Sequence, residues 1–478
     1  MKNSLKINQK GVIFSLILIL LGIIILLIQI HLSSYNYIYE QSCILLISIV
    51  TYLVILLMVY SVNKRIDIFF IFLLLAYPFS YGRHILEAFG DTNVFSTALT
   101  QNSIVDAGFW NIYSIIAISI GYLMIGIGNY SNNTISNNNA NGSLNKSFII
   151  ICWFFLIISL VPFFLNTWNN INQSLTLGYG YRIIEADNKV TLLGALSSYY
   201  LPSCMAISIS NTKKKKIGIL LLIVGLGLQM MSGTRISAFC YLVVMSYYLL
   251  NEITEKKNRR RMLLIITIVA VITVLLFSLI SYNRTSFSHI TSFNGFLKYF
   301  TEFINNNKVV KRVLNETGNS FQVSACVIQN CPNLVRYIYG YSYIYSVIYI
   351  IPNSISKLLF PVCINTDSAF APLLASYGGV GSSFSAEAYY NFGVFGIFWL
   401  PIVGLFWRKL SILLDSSQKS NSLILKFISL QIALQMIFMV RSDMVYSLRN
   451  LVWVSGVMIL ISMLYSKFIG KSKTHSKE

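Results

Sequence analysis

Apolar runs bounded by polar or charged residues recur along this chain near 12–30, 44–60, 68–80, 110–128, 148–165, 192–210, 217–231, 236–250, 262–281, 392–407, 423–440 and 448–465. Two stretches without Asp, Glu, Lys or Arg, 11–39 and 262–283, exceed the roughly 20 residues that a helix needs to cross a bilayer. The pattern predicts an all-α polytopic membrane protein with about 12 transmembrane helices. Three parts follow from the spacing: a bundle of about nine spans over 1–281, a large outer loop over 282–391, and three C-terminal spans with a cytoplasmic tail over 392–478. The run after Lys2, Lys6 and Lys10 is full length and lacks a small-residue cleavage site, so it reads as a retained first helix. No internal repeat is evident, which argues against a transporter built from two similar halves.

The connection between the ninth and tenth runs is too long to be structureless and is expected to carry helices and function. Residues 293–303 look amphipathic. Residues 334–351 are apolar but interrupted by Arg336 and Gly340, and hold Tyr337, Tyr339, Tyr341, Tyr343, Tyr345 and Tyr349. Aromatic rings with a polar tip suit the membrane interface, so a re-entrant or interfacial helix is expected here. The Asn/Ser/Gly run at 129–145 reads as a flexible cytoplasmic linker.

Composition agrees with the pattern: 55% of the residues are hydrophobic and only 11% charged, against roughly 25% charged in soluble domains. The formal net charge of +20 suggests a nucleic-acid surface until its distribution is considered. Lys64 and Arg65, lysines 213–216, residues 256–261, Arg408 with Lys409, Lys419 and the 467–477 tail all fall on one side of a twelve-span topology. That is an inside-positive membrane protein with both termini in the cytoplasm, and nucleic acid is not an expected partner. The seven cysteines show no zinc spacing. Cys326 and Cys331 lie close together in the outer loop, where an oxidising compartment permits a disulfide.

Arginine separates the two faces. The inner loops hold mostly lysine, whereas Arg83, Arg182, Arg235, Arg284, Arg312, Arg336, Arg441 and Arg449 fall outside. Arginine's planar fork matches phosphate oxygens and keeps its charge in a poorly solvated site. Arg235, Arg284, Arg441 and Arg449 stand at outer helix ends, as a lipid-linked pyrophosphate would require. Two outer carboxylates complete the chemistry: Glu316, in Glu316-Thr317-Gly318-Asn319-Ser320, and Glu387, in Ser382-Ser383-Phe384-Ser385-Ala386-Glu387-Ala388-Tyr389-Tyr390-Asn391-Phe392-Gly393. Either could take a proton from an attacking hydroxyl, while arginines stabilise charge on the leaving pyrophosphate. His289 is a further possible base, and Asp443 reads as an ion-pair partner of its flanking arginines. No Asp-x-Asp metal motif, phosphate loop or zinc pair occurs, so no cofactor is expected.

The 381–393 block resembles that of bacterial O-antigen polymerases of the Wzy type. Further motifs of the resemblance are Gly233-Thr234-Arg235, Glu316-Thr317-Gly318-Asn319-Ser320, Gly340-Tyr341-Ser342 followed by Ile351-Pro352, and Arg441 with Arg449. The resemblance implies an inner-membrane enzyme with a glycosyltransferase C-like fold. It would join oligosaccharide repeat units carried on undecaprenyl pyrophosphate at the periplasmic face, for lipopolysaccharide O-antigen, without a metal or nucleotide sugar. Arg235, Arg284, Arg441 and Arg449 would then hold pyrophosphate, Tyr389, Tyr390 and Asn391 the substrate, and Glu387 or Glu316 the acceptor hydroxyl. A chain-length regulator protein is a conceivable partner besides membrane lipid. An O-antigen ligase shares the large outer loop and the arginines; a lipid-linked oligosaccharide flippase would be expected to have short loops.

Overall fold

The computed structural model describes residues 8–91, 94–125, 138–176, 192–232, 235–253, 257–264, 267, 308–351, 355 and 381–475. Among these residues the chain is helical, without a strand. Seven helices among the described residues are long and apolar enough to cross a membrane: Gln9–Leu32, Tyr37–Asn63, Ile68–Ala88, Gln101–Met124, Gly142–Gln173, Phe384–Lys419 and Ser447–Phe468. The chain is a multi-pass membrane protein. Lys215–Met231, Arg235–Glu252 and Leu423–Phe438 form shorter or less apolar helices on three further runs. Most of the 262–281 run lies outside the described residues, as do segment 293–303, Arg182, Arg284, His289 and Cys363.

Two expectations are corrected. The 192–210 run is two helices, Leu192–Ser197 and Tyr200–Ser208. In an unbroken helix the ring of Pro202 would strike the carbonyl of Ser198, so the chain turns there and Pro202 falls in the first turn of a new helix. The 129–145 run is not wholly a linker, because a helix begins at Asn138. Its Asn145 side chain donates to the Asn421 carbonyl at 2.7 Å and accepts from the Leu423 N–H at 2.9 Å. That fixes the start of the Leu423–Phe438 helix.

The chain forms two compact units, residues 1–132, 314–413 and 435–449 in one and the remainder in the other. In the first, Gln101–Met124 is the central helix: 83% of its most apolar stretch is buried, against 22% for Gln9–Leu32. Polarity there runs inside out. Gln9–Leu32 buries Gly11 and Ser15 among its inward residues and turns Leu16, Leu20, Ile23, Leu27 and Ile30 outward. Outside a bilayer that face would be untenable; inside one, small residues pack helices and branched aliphatics meet lipid. A methyl group on Gly121 would overlap the Pro401 carbonyl, and one on Gly404 the Ile118 carbonyl. The central helix and the Gly396–Lys419 helix therefore touch backbone to backbone.

A third correction concerns Arg408. It is not a loop charge: it is 1% exposed, within the Gly396–Lys419 helix. Its Nε donates to the Ile125 carbonyl at 2.9 Å, its Nη1 to Asn63 Oδ1 at 2.6 Å and to the Tyr122 hydroxyl at 3.0 Å. Tyr122 donates in turn to Asp67, which is fully buried and also accepts from Asn63 Nδ2 at 2.9 Å and Ser411 Oγ at 3.1 Å. Asp67 accepts from the Phe70 N–H as well, capping the Ile68–Ala88 helix. A buried acid and a buried base, bridged by Asn63 and Tyr122, thus join four helices.

Cys326 and Cys331 are thiols rather than a disulfide. Cys326 packs beside Leu99 and Phe321, whereas Cys331 packs beside Val327 and Tyr390. Burial, with Cys326 nearby, pushes the Cys331 thiol up to about 11. Because the thiolate is the reactive form, alkylation of Cys331 in the folded protein should climb until about pH 11 and be indifferent to reductant. A rate that levels off near the ordinary thiol range, or labelling only after reduction, would contradict this environment.

Candidate functional site

Glu387 lies on the Phe384–Phe392 helix, which begins where Ser383 Oγ accepts from the Ala386 N–H at 3.1 Å. Four residues on, Asn391 shares its face, and both side chains are fully buried. Ser342, on the Tyr341–Ile348 helix, fits between them. Its hydroxyl donates to Glu387 Oε1 at 2.8 Å and accepts from Asn391 Nδ2 at 2.7 Å. The same Nδ2 donates to the Glu387 carbonyl at 2.7 Å. Asn391 therefore fixes the direction of the one proton that Ser342 can give.

The second oxygen of Glu387 faces the link between the last two apolar runs: the Met444 N–H donates to Oε2 at 3.1 Å. The link is tied to the helix entry as well, through the Ser382 N–H on the Arg441 carbonyl at 3.2 Å and the Phe384 N–H on the Met439 carbonyl at 3.1 Å. Gly381, at φ +85°, lets this happen, since a Cβ there would crowd Arg441. Arg441 donates from Nη1 to the Glu316 carbonyl at 3.3 Å. Asp443 is 2% exposed and Glu316 8%. Two carboxylates and a guanidinium are thus connected through a few backbone groups.

Glu316 lies in the last turn of the Lys308–Thr317 helix, and the residues after it explain their own motif. Gly318 must be small, because a Cβ would lie 2.6 Å from Arg83 Cγ. Asn319 Oδ1 accepts from Arg83 Nη2, and Arg83 also donates to the Val94 carbonyl. Arg83 is therefore a structural tie that holds the Glu316 turn against the Ile68–Ala88 helix.

Aromatic residues surround this frame. Trp110 Nε1 donates to the Ser385 carbonyl at 2.9 Å, and its ring meets Tyr389 edge to face at 5.1 Å. Tyr390 is buried in a core with Val323, Val327 and Ala386. The Arg449 guanidinium lies 4.2 Å from the centre of the Tyr349 ring, a cation–π contact that leaves the charge in place.

Glu387, Glu316, Arg441, Arg449, Tyr389, Tyr390 and Asn391 all belong to the first compact unit. Arg235, 4% exposed and first in the Arg235–Glu252 helix, belongs to the second. Ser342 was not singled out from sequence, although it stands in Gly340-Tyr341-Ser342. Nor was the buried polar cluster in which Ser385 Oγ donates to Asn111 Oδ1 at 2.6 Å, with Ser383 and Ser324 within 3.4 Å. A single serine or asparagine inside an apolar run carries no local sign of its partner. Among the described residues no three His, Cys, Asp or Glu side chains are grouped to hold a metal ion.

Neither a curated protein nor a solved structure matches the chain. The family model described as O-antigen polysaccharide polymerase Wzy matches residues 11–473, which is nearly the whole length. With its multi-pass helical architecture and its buried acid–arginine frame already established, the chain belongs to the Wzy family of O-antigen polysaccharide polymerases.

Proposed function

We propose that this O-antigen polymerase moves a growing chain from undecaprenyl pyrophosphate onto the non-reducing sugar of an incoming lipid-linked unit. The reaction takes place at the periplasmic face of the inner membrane. In this reading the chain has about twelve spans in a glycosyltransferase C-like arrangement, cytoplasmic termini, and a functional outer segment over 282–391. A chain-length regulator is a conceivable partner.

The acceptor hydroxyl oxygen bonds to the anomeric carbon of the donor sugar. The bond from that carbon to the pyrophosphate oxygen breaks, the pyrophosphate keeps the electron pair, and the hydroxyl proton passes to a carboxylate. Arg441 and Arg449 take the pyrophosphate charge, in the place a metal would otherwise have, and Arg235 and Arg284 are further candidates. Glu316 is assigned to the acceptor hydroxyl. Glu387, sealed between Ser342 and Met444, holds the link that carries Arg441. Tyr389 faces sugar, while Tyr390 and Asn391 act from within the core.

The observation that carries this reading is the Arg441 guanidinium anchored on the main-chain carbonyl of Glu316, which ties an anion-binding group to the residue that bears an outer carboxylate. Losing a contact to developing charge costs about a hundredfold in rate. Arg441→Ala should therefore reduce polymerisation about that much at unchanged protein level, and Arg441→Lys should recover only part. A normal lipopolysaccharide ladder from Arg441→Ala would defeat the assignment. Deleting the gene should leave lipid A–core with a single repeat unit. Bare core with polymer still on the lipid carrier would indicate a ligase instead.

A further inference from the structure

We propose that Tyr389, Tyr337 and Tyr339 form a shelf on which a pyranose ring of the lipid-linked oligosaccharide stacks, with Tyr339 as its outer, affinity-determining residue. The inference rests on the polymerase reading and gives it a saccharide subsite.

Four rings run outward in file. Trp110 meets Tyr389 at 5.1 Å, Tyr389 meets Tyr337 at 6.1 Å, and Tyr337 meets Tyr339 at 6.5 Å, each pair near edge to face. The first ring is 6% exposed and the last 77%. Room for the file is built into the backbone: Gly393, at φ +59°, passes so close to Tyr337 that a Cβ would lie 2.8 Å from its ring.

Tyr339 itself adopts φ +45°, a conformation disfavoured for a bulky L-residue. It is held there by pairing with the Glu387 helix: the Ile338 N–H donates to the Tyr390 carbonyl at 3.1 Å, and the Tyr339 N–H to the Asn391 carbonyl at 2.8 Å. Gly340 follows at φ +85°. A strained backbone that presents an exposed aromatic ring, one hydrogen bond from the Glu387 frame, needs a use outside the core.

The chemistry favours a sugar over lipid. Midway along a spanning helix of this unit the outward residues are aliphatic, such as Leu20, Ile23 and Leu27, whereas exposed Tyr35, Tyr39 and Tyr60 stand at or beside helix ends. The shelf is tyrosine throughout. A pyranose offers a C–H face with hydroxyls at its rim, and tyrosine offers a flat apolar face with a hydroxyl at its rim.

The test uses the full chain in lipid nanodiscs. The donor and acceptor are the undecaprenyl-pyrophosphate-linked repeat unit isolated from a strain lacking the gene. Tyr339→Asn removes the ring while keeping a residue that tolerates positive φ. It should raise KM about tenfold and leave kcat within about twofold. Tyr339→Trp should behave as wild type. The soluble oligosaccharide freed from its lipid by mild acid should inhibit wild type and inhibit Tyr339→Asn about tenfold less well. Wild-type KM in Tyr339→Asn, or recovery by Tyr339→Leu as a membrane anchor would recover, overturns the shelf while wild-type polymerisation upholds the enzyme. Failure of wild type to polymerise overturns both.

Discussion

Glu316→Gln should slow polymerisation at least about a hundredfold, the lower end of what a positioned general base contributes, and should abolish the fall in rate on the acid side of the pH profile. The amide keeps the size of the side chain, and the main-chain carbonyl that receives Arg441 is untouched, so the frame should survive while the proton acceptor is lost. Glu387→Gln should differ in kind. Its two oxygens accept from Ser342 and from the Met444 N–H, and an amide nitrogen must face one of these donors. The link that carries Arg441 is then loosened, which lowers the plateau of the pH profile but leaves its acid limb. Reconstituted enzyme assayed from mildly acidic to mildly basic pH separates the two. If Glu387→Gln loses the acid limb and Glu316→Gln keeps it, their roles are exchanged. If neither variant changes the rate, the acid–arginine frame is structural.

Hydropathy exposed the spans because lipid demands long apolar helices whatever their neighbours; Gln9–Leu32 and Tyr37–Asn63 could be found from that rule alone. It also concealed one break. The 192–210 run is uncharged throughout, and only Pro202, four residues beyond the Ser198 carbonyl, marks the turn. Glu387 was legible since a lone carboxylate among small residues beside an apolar run is costly to place. Its partners were not: Ser342 lies 45 residues away and Met444 57. Both act through positions that only packing brings together, Met444 through its N–H, which no side-chain pattern reveals. Arg83 could be placed on the outer side but its use could not be read, because the socket that Gly318 and Asn319 make for it lies more than 230 residues away.

Arg408→Met should destabilise the protein by about 3–5 kcal/mol, the penalty for leaving a buried charge without its counterpart. The thermal midpoint of the detergent-solubilised protein should fall by several degrees or more. The expectation follows from geometry rather than charge counting. Positive-inside topology treats Arg408 like its neighbour Lys409, so on that view Arg408→Lys would be silent. In the structure the guanidinium uses Nε for the Ile125 carbonyl and Nη1 for Asn63 and Tyr122, a fork that an ammonium group cannot reproduce. Arg408→Lys should therefore lose most of what Arg408→Met loses. Asp67→Asn combined with Arg408→Met should recover a substantial part, because the two changes remove the buried acid together with the buried base. Glu387 and Arg408 lie on different helices, Phe384–Phe392 and Gly396–Lys419, and bond to different partners. Loss at Arg408 should thus reach polymerisation only through the amount of folded protein. Normal specific activity in the surviving Arg408→Lys molecules would place the lock in stability. A full-strength thermal midpoint in Arg408→Lys would return the residue to the topology signal that its position in sequence suggested.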